Sequence, residues 1–274
     1  MSPLGLFMLV GMSLLGLTLL FLLARSRAFR QGLLPATTLP PSPLRESDAI
    51  IAFGLLLIAI GSVQAAVLLL DLYLGGNTWR EEPFLRLLLG ISPTGLAALS
   101  VLGLAAFRSA SPTRALGLGS TERARDMARG VVVYLAAYPG VMGTIVLWGG
   151  LLAWLGVKFR PQDVWEIVLA PQPWLEVAVS VATAILVVPF FEEMIFRGFL
   201  LRALSQRLGG TGAVLFTATV FALLHRNAYA SGPAFVLGLL LGWLYWRTGR
   251  LWLAVGCHGA NNAAALVMKW LSQS

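Results

Sequence analysis

The chain alternates long apolar runs with short polar stretches. A run of about 20 apolar residues is long enough for a helix to cross a bilayer. Eight such runs follow one another: Leu4–Leu23, Ala49–Leu70, Phe84–Phe107, Gly130–Val157, Trp174–Arg207, Thr211–Arg226, Ser231–Trp246 and Leu251–Trp270. This pattern predicts an all-α fold, a polytopic membrane helix bundle of about eight transmembrane helices, with no separate soluble domain.

Local signals refine this picture. The first run is followed, not preceded, by three arginines, so we interpret it as a membrane span and not as a signal peptide. The proline-rich stretch from Arg25 to Asp48 is expected to be irregular. Ser120–Arg129 begins with a capping serine and predicts a short interfacial helix. Pro139-Gly140 predicts a kink in the fourth span.

The composition and the charge agree with a membrane protein. Of the 274 residues 58% are hydrophobic and 12% are charged, and the mean hydropathy is +0.81. The formal net charge of +8 would suggest nucleic-acid binding in a soluble protein. Here about 14 of the 20 Lys and Arg lie on one side of the predicted spans, so the charge sets the topology by the positive-inside rule. A single cysteine, Cys257, excludes an internal disulfide.

Two adjacent carboxylates, Glu192 and Glu193, lie in the fifth span. A charge in hydrocarbon costs about 2.5 to more than 10 kcal/mol, so two acids there need a reason. Glu193 and Arg197 are one helical turn apart and are expected to pair. Glu192 projects from a different side of the helix and has no cation at that spacing, which makes it the candidate for chemistry. The alternative is that both acids lie among the lipid headgroups and only cap a helix end.

The two histidines of the chain both lie in late spans. His225 follows Phe221 by four residues, and His258 precedes Asn262 by four and shares its helix face. Asn261 is a weaker candidate for the same face. A lone histidine in a membrane span is more often a packing or hydrogen-bonding residue than a catalytic one.

Helical rise gives the depth of these groups in the membrane. Glu192 and His225 lie roughly 22–26 Å from the turn between the fifth and sixth spans. His258 lies roughly 12 Å from Arg250 and is shallower on this measure. The depths converge if the fifth helix extends beyond the membrane through Arg202. Because polar groups left apart in lipid each cost several kcal/mol, we expect the carboxylate, the imidazoles and the amide to meet.

Three motifs on successive late helices carry a family resemblance. They are Glu-Glu-x-x-x-Arg, Phe-x-x-x-His and His-x-x-x-Asn, and the residues that match are Glu192, Glu193, Arg197, Phe221, His225, His258 and Asn262. In this order they resemble the CAAX prenyl protease and bacteriocin-processing (CPBP, or Abi) intramembrane proteases. The resemblance covers about residues 174–270, and the first four spans carry no matching motif.

This resemblance implies an intramembrane endopeptidase that uses a glutamate-activated water, with no metal and no other cofactor. Glu192 would take a proton from water, with His225 helping to orient or share it. His258 and Asn262 would donate hydrogen bonds to the oxyanion. Glu193 and its cationic partner Arg197 would hold the helix and tune the field at the base. The partners implied are the lipid bilayer and a peptide or membrane-protein substrate, with or without a lipid modification.

A zinc mechanism is the chemical alternative, because two histidines and one or two glutamates permit a site. The chain has no His-Glu-x-x-His motif, and Asn262 beside His258 is a poor zinc ligand. A metal ligand would more usually have a carboxylate or carbonyl at its second ring nitrogen. No nucleophile elbow supports a serine mechanism.

Two alternatives from other classes stay open. The first is a catalytically silent membrane scaffold or bacteriocin self-immunity protein of the same fold. The second is a transporter, although the chain shows no paired repeats or interrupted helices at matching positions. A scaffold has no need of a carboxylate, two imidazoles and an amide together, which favours the protease.

The chain divides into residues 1–173, an N-terminal part with four transmembrane helices and cytoplasmic loops, and residues 174–274, a catalytic core of four helices. Both belong to one continuous membrane domain. We expect the protein in the cell inner membrane, with the active site towards the cytoplasmic half.

The charge distribution generates a topology prediction. Both termini are expected on the non-cytoplasmic side, because the basic loops then all lie in the cytoplasm. A reporter fused at Ser274 should therefore read as external, and one fused at Arg114 as cytoplasmic. The opposite location at either position would contradict the predicted topology.

Overall fold

A computed structural model of the chain describes residues 42–74, 82–158 and 167–272, together with a few isolated residues nearer the N-terminus. Within these ranges all regular structure is helical, which confirms the predicted all-α class. The first predicted span and most of the proline-rich stretch after it lie outside the described residues.

The described helices are α1 Glu46–Leu74, α2 Pro83–Arg108, α3 Pro112–Ala115, α4 Arg123–Trp154, α5 Trp174–Leu224, α6 Ala228–Thr248 and α7 Leu251–Leu271. Residues 167–169 add one helical turn before α5. Five of them, α1, α2, α4, α5 and α6, are long and apolar enough to cross a membrane. Every predicted span after the first coincides with a helical segment, and the chain is an integral membrane protein.

Helix α5 accounts for two of the predicted spans. It extends over 51 residues, but Gly209 has φ 66° and ψ 172°, which no helical residue adopts. Glycine alone takes this conformation at little cost because it has no Cβ. Gly209 therefore divides α5 into two arms, residues 174–208 and 210–224.

The first arm of α5 is not a uniform α-helix. Two segments, Thr183–Val187 and Met194–Leu201, are π-helical, and a short α-helical segment, Val188–Glu193, separates them. π-Helical turns are rare and recur at functional sites. Both glutamates of interest lie on the α-helical segment between them.

The structure corrects one local prediction about the fourth span. Ser120–Arg129 is not a separate interfacial helix, because α4 begins at Arg123 and continues to Trp154. The buried carboxylate of Asp126 accepts from the Ser120 hydroxyl at 2.6 Å and from Arg250 at 2.7 Å, which fixes this first turn against the rest of the bundle. Pro139 lies inside α4, and the kink expected at Pro139-Gly140 stays a prediction.

The turn between α6 and α7 brings α7 back antiparallel to α6. The Asn227 side chain caps the start of α6 by accepting from the N–H groups of Tyr229 and Ala230. Gly249, with φ 63°, ends it in the left-handed conformation typical of helix C-termini. The Leu251 N–H donates to the Gly117 carbonyl at 3.3 Å, so this turn packs against the loop that precedes α4. We call this part of the bundle, where residues 109–122 meet the α6–α7 turn, the basic end.

Helices α4 and α7 approach each other at backbone distance. A Cβ atom at Gly130 would lie 2.1 Å from the Leu253 carbonyl oxygen, and one at Gly256 would lie 2.2 Å from the Met127 carbonyl oxygen. Side chains at either position would force the helices apart. The fourth span thus packs directly on the last one, and the division of the chain at residue 173 stays a prediction.

Glycine at this crossing generates a stability prediction. Gly256→Ala is expected to destabilise the protein by about 1–3 kcal/mol, because the methyl group overlaps the α4 backbone. Gly103→Ala is the control, since Gly103 is an exposed glycine inside α2 with no atom within 4 Å of its added Cβ. Thermal unfolding in detergent should show a clear loss of Tm for the first variant only. Equal unfolding temperatures would contradict the close approach of the two helices.

Candidate active site

A fully buried ion pair lies at the centre of the site. The Arg197 Nη1 atom is 2.8 Å from Glu193 Oε1, and neither side chain is exposed, which confirms the predicted pairing. Arg197 Nη2 donates to the Gly238 carbonyl of α6 at 3.1 Å. Its guanidinium also lies 4.8 Å from the centre of the Phe221 ring. Three helical segments therefore contribute to holding one buried cation.

His258 of α7 joins this pair on its other side. Its Nδ1 atom is 2.9 Å from Glu193 Oε1, the oxygen that also accepts from Arg197. A carboxylate oxygen that already pairs with an arginine acts as an acceptor, so the proton of this hydrogen bond is on Nδ1. His258 is 2% exposed, and its ring orientation is set by this bond.

Glu192 lies on the opposite side of the same imidazole. Its Oε2 atom is 3.6 Å from His258 Nε2, and its side chain keeps 22% of its surface exposed. The two adjacent glutamates thus differ as expected, since Glu193 is buried and paired whereas Glu192 is accessible. The imidazole of His258 lies beside Glu192, and the expected sharing of the water by Glu192 and His225 stays a prediction.

His225 follows the last residue of α5 and is partly buried. Its Nδ1 atom is 2.8 Å from the Phe221 carbonyl oxygen. A carbonyl only accepts, so Nδ1 carries the proton and Nε2 is the ring nitrogen that remains for other contacts.

Phe221 connects the two histidines. Its ring centre is 4.7 Å from that of His225 and 5.6 Å from that of His258, both in edge-to-face geometry. The same ring also faces Arg197. The sequence motif contains Phe221, but sequence reasoning gave it no role, and its position between both imidazoles and the buried cation is new.

Asn262 is held by a carbonyl that the π-helical geometry leaves open. In the segment Thr183–Val187 the backbone bonds run from residue i to i+5, as the Val188 N–H to Thr183 carbonyl bond shows. The next bond would join Ala184 to Pro189, which has no N–H. The Asn262 Nδ2 atom donates to the Ala184 carbonyl at 2.9 Å instead.

Two residues that make this contact possible were missed by sequence reasoning. Pro189 lies in the middle of an apolar span, which was a visible signal of an irregular helix. Gly259 follows His258, and a Cβ there would lie 2.5 Å from the Ile185 carbonyl oxygen. Without a side chain at Gly259, α7 comes close enough to α5 for Asn262 to reach Ala184.

The geometry bears on the zinc alternative in two ways. The premise that His258 lacks a carboxylate at its second nitrogen is wrong, because Glu193 occupies that position. The orientation of His258 alone is therefore compatible with a metal ligand. However, zinc in proteins has three or four protein ligands, and in the part of the chain that the structure describes no three His, Cys, Asp or Glu side chains come together in that way.

Comparison with protein families gives one match. Residues 173–264 match the model of a family described as Type II CAAX prenyl endopeptidase Rce1-like. This range contains all three motifs, and the match agrees with the resemblance drawn from the motifs. Searches of curated proteins and of solved structures found no match.

The buried ion pair generates a prediction. Arg197→Met is expected to destabilise the protein by about 3–5 kcal/mol, because it leaves Glu193 as a buried charge without its cation. Arg207→Met is the matched control, since the Arg207–Glu46 pair has side chains that are 73% and 50% exposed. Such a surface pair contributes about 0–1 kcal/mol. Chemical denaturation in detergent should separate the two variants, and similar losses would show that the Glu193–Arg197 pair does not stabilise the bundle.

Proposed function

We propose that this protein is an intramembrane endopeptidase that hydrolyses a peptide bond with a water activated by Glu192. The observation that carries this proposal is the position of His258 between a buried, charge-paired glutamate and an accessible one. The match of residues 173–264 to a family of endopeptidases supports the reaction class.

The charges of the site favour one acid and one base side by side. Arg197 and Glu193 neutralise each other, and an additional net charge in the bundle would be costly. We therefore assign one further proton to Glu192 or to His258 Nε2, in addition to the proton on His258 Nδ1. With the proton on His258, a carboxylate and an imidazolium face each other across 3.6 Å. One water beside these two atoms would lie within hydrogen-bond reach of both.

In the proposed reaction Glu192 accepts one proton of this water as the oxygen attacks the peptide carbonyl. The charge that develops on the carbonyl oxygen is stabilised by hydrogen bonds from His258 Nε2 and Asn262. The protonated Glu192 then gives its proton to the amide nitrogen as the C–N bond breaks. The products are a carboxylic acid and an amine, and the glutamate returns to its starting state.

The remaining members of the site act on these groups. One N–H of the Asn262 amide is bound to Ala184, and the second is assigned to the oxyanion. His225 presents its Nε2 atom after Nδ1 has donated to Phe221, and we assign it the role of orienting water or substrate. Glu193 and Arg197 are positioning residues that fix the His258 ring.

A prenylated peptide is the first substrate class to test, because the matching family is described as prenyl endopeptidases. The basic end of the bundle favours a cytoplasmic location for the nearby site by the positive-inside rule. We accordingly place the protein in the cell inner membrane, with the site in the cytoplasmic half. The competing proposal is a silent scaffold or self-immunity protein of the same fold.

The proposal predicts unequal effects of two substitutions. Glu192→Gln is nearly isosteric but cannot accept the proton, so it should abolish turnover with folding intact. Asn262→Ala removes one oxyanion donor and should lower the rate by about 10²–10³-fold with KM little changed. Cleavage of farnesylated and unmodified peptides by the purified protein is measured by mass spectrometry. Glu176→Gln, which changes an acid in the first turn of α5, is the control and should keep full activity.

Each outcome of this experiment has a defined meaning. Full activity of the Glu192→Gln variant would show that Glu192 is not the base. Equal, modest losses for both variants would indicate a structural role for the cluster. The absence of cleavage by the unaltered protein favours the scaffold. Activity is expected to persist in excess chelator, and its loss with recovery on added zinc would make His258 and Glu192 metal ligands.

A further inference from the structure

A second polar site lies at the basic end of the bundle. A cavity of about 410 Å³ opens there, lined by Arg114, Gly117, Gly119, Ser120, Thr121, Glu122, Arg202, Gly249 and Arg250. Its wall combines the loop before α4, the first arm of α5 and the α6–α7 turn. The volume is in the range of sites for small ligands.

One arginine of this cavity is built into the core. Arg202 is 2% exposed, and its Nη1 atom donates to the Arg114 carbonyl at 3.1 Å and lies 3.4 Å from the Tyr245 hydroxyl. These bonds fix the guanidinium in the wall of the cavity. Arg114, in contrast, is exposed at the rim, and within the described residues its guanidinium has no hydrogen bond or ion pair.

The acids near the cavity are already occupied by other arginines. Asp126 is bound by Arg250 at 2.7 Å, and Arg129 lies 3.5 Å from it. Glu122 pairs with Arg125 at 3.0 Å and with Arg250 at 3.4 Å. Hydrogen bonds from Arg125 first, and from Arg250 second, hold the pKa of the Glu122 carboxyl below its usual range.

The local charge is therefore strongly positive. The arginines of this network are Arg114, Arg125, Arg129, Arg202 and Arg250, and its acids are Glu122 and Asp126. Of these, three arginines (Arg114, Arg202 and Arg250) and one acid (Glu122) line the cavity, which leaves an excess of two positive charges in its wall. An anion in the cavity would offset this excess.

The chemistry of the wall selects the kind of anion. Arginine donates paired N–H groups that match the oxygen atoms of a phosphate. Gly249 lines the cavity without a side chain that could keep a ligand away from its backbone, whereas the space beside Gly117 is filled by the Tyr245 side chain. Thr121 adds a hydroxyl donor at the rim. A cavity of this composition at the end of transmembrane helices lies at the level of the lipid headgroups, where basic pockets bind anionic lipids.

We propose that this cavity binds a phosphate group, carried by the headgroup of an anionic phospholipid or present as a free phosphate ion. The site is separate from Glu192 and His258 and does not depend on the proposed protease activity. Arg114 binds the phosphate from the rim, and the buried Arg202 adds a fixed positive charge in the wall.

The test uses the full chain in an uncharged detergent with three probes. These are dioctanoyl phosphatidylglycerol, dioctanoyl phosphatidylcholine and inorganic phosphate. Binding is measured by thermophoresis as a Kd for the unaltered protein and for two variants. Arg114→Gln removes a lining arginine, and Arg247→Gln removes an exposed arginine at the end of α6 that does not line the cavity.

Phosphatidylglycerol is expected to bind saturably, and Arg114→Gln should raise its Kd roughly fivefold, the effect of one arginine at a headgroup. Arg247→Gln should leave it unchanged. Phosphatidylcholine should bind more weakly, because its choline group meets the same arginines. If inorganic phosphate binds with the same dependence on Arg114, the phosphate site is supported and the free ion is its ligand. No saturable binding of either anion, or equal effects of the two variants, would overturn the proposal.

Discussion

The buried charge of Arg197 is the constraint on which the site depends. A guanidinium without exposed surface inside an apolar bundle must be neutralised, and Glu193 does so from the same helix, one turn away. Because Glu193 Oε1 is fixed by this pair, it can also orient His258 from α7. His258 in turn fixes the position beside Glu192. The order of these contacts explains why two adjacent acids differ so much in exposure, since one is needed to neutralise a cation and the other is left accessible.

Irregular helix geometry brings the last helix to this pair. Pro189 removes one backbone donor, the π-helical segment leaves the Ala184 carbonyl without an intrahelical partner, and Asn262 supplies the missing hydrogen bond. An unpaired carbonyl in this environment would cost about 1–3 kcal/mol, so the contact contributes to the register of α7 against α5. Gly259 allows the close approach. Asn262 therefore has a structural bond in the resting state in addition to the role proposed for it in the reaction.

The sequence predicted the spans and the polar residues better than it predicted their mutual contacts. Apolar runs and one-turn spacing are local properties, so the helices and the Glu193–Arg197 pair followed from them directly. The contacts of His258 with both glutamates join residues 65 and 66 positions apart in the chain and depend on how α7 packs on α5. Residue counting from the turn placed Glu192 too deep relative to His258, because the first arm of α5 continues to residue 208 beyond the basic end. The Arg207–Glu46 pair there is exposed, which shows that this part of the arm is accessible.

The depth of the site in the membrane can be measured from the basic end of the bundle. Arg202 and Arg250 line the same cavity, Glu192 precedes Arg202 by ten residues and His258 follows Arg250 by eight. At helical rise both groups lie about 12–15 Å below that cavity, or nearly half the thickness of the hydrocarbon core. A peptide bond at this depth is normally part of a transmembrane helix, whose carbonyl oxygen is already hydrogen-bonded. Hydrolysis at this depth requires that the substrate helix unwinds locally into an extended segment. The carbonyl oxygen that loses its intrahelical hydrogen bond then needs new hydrogen-bond donors. The imidazole and the amide on one face of α7 are the donors that we assign to it.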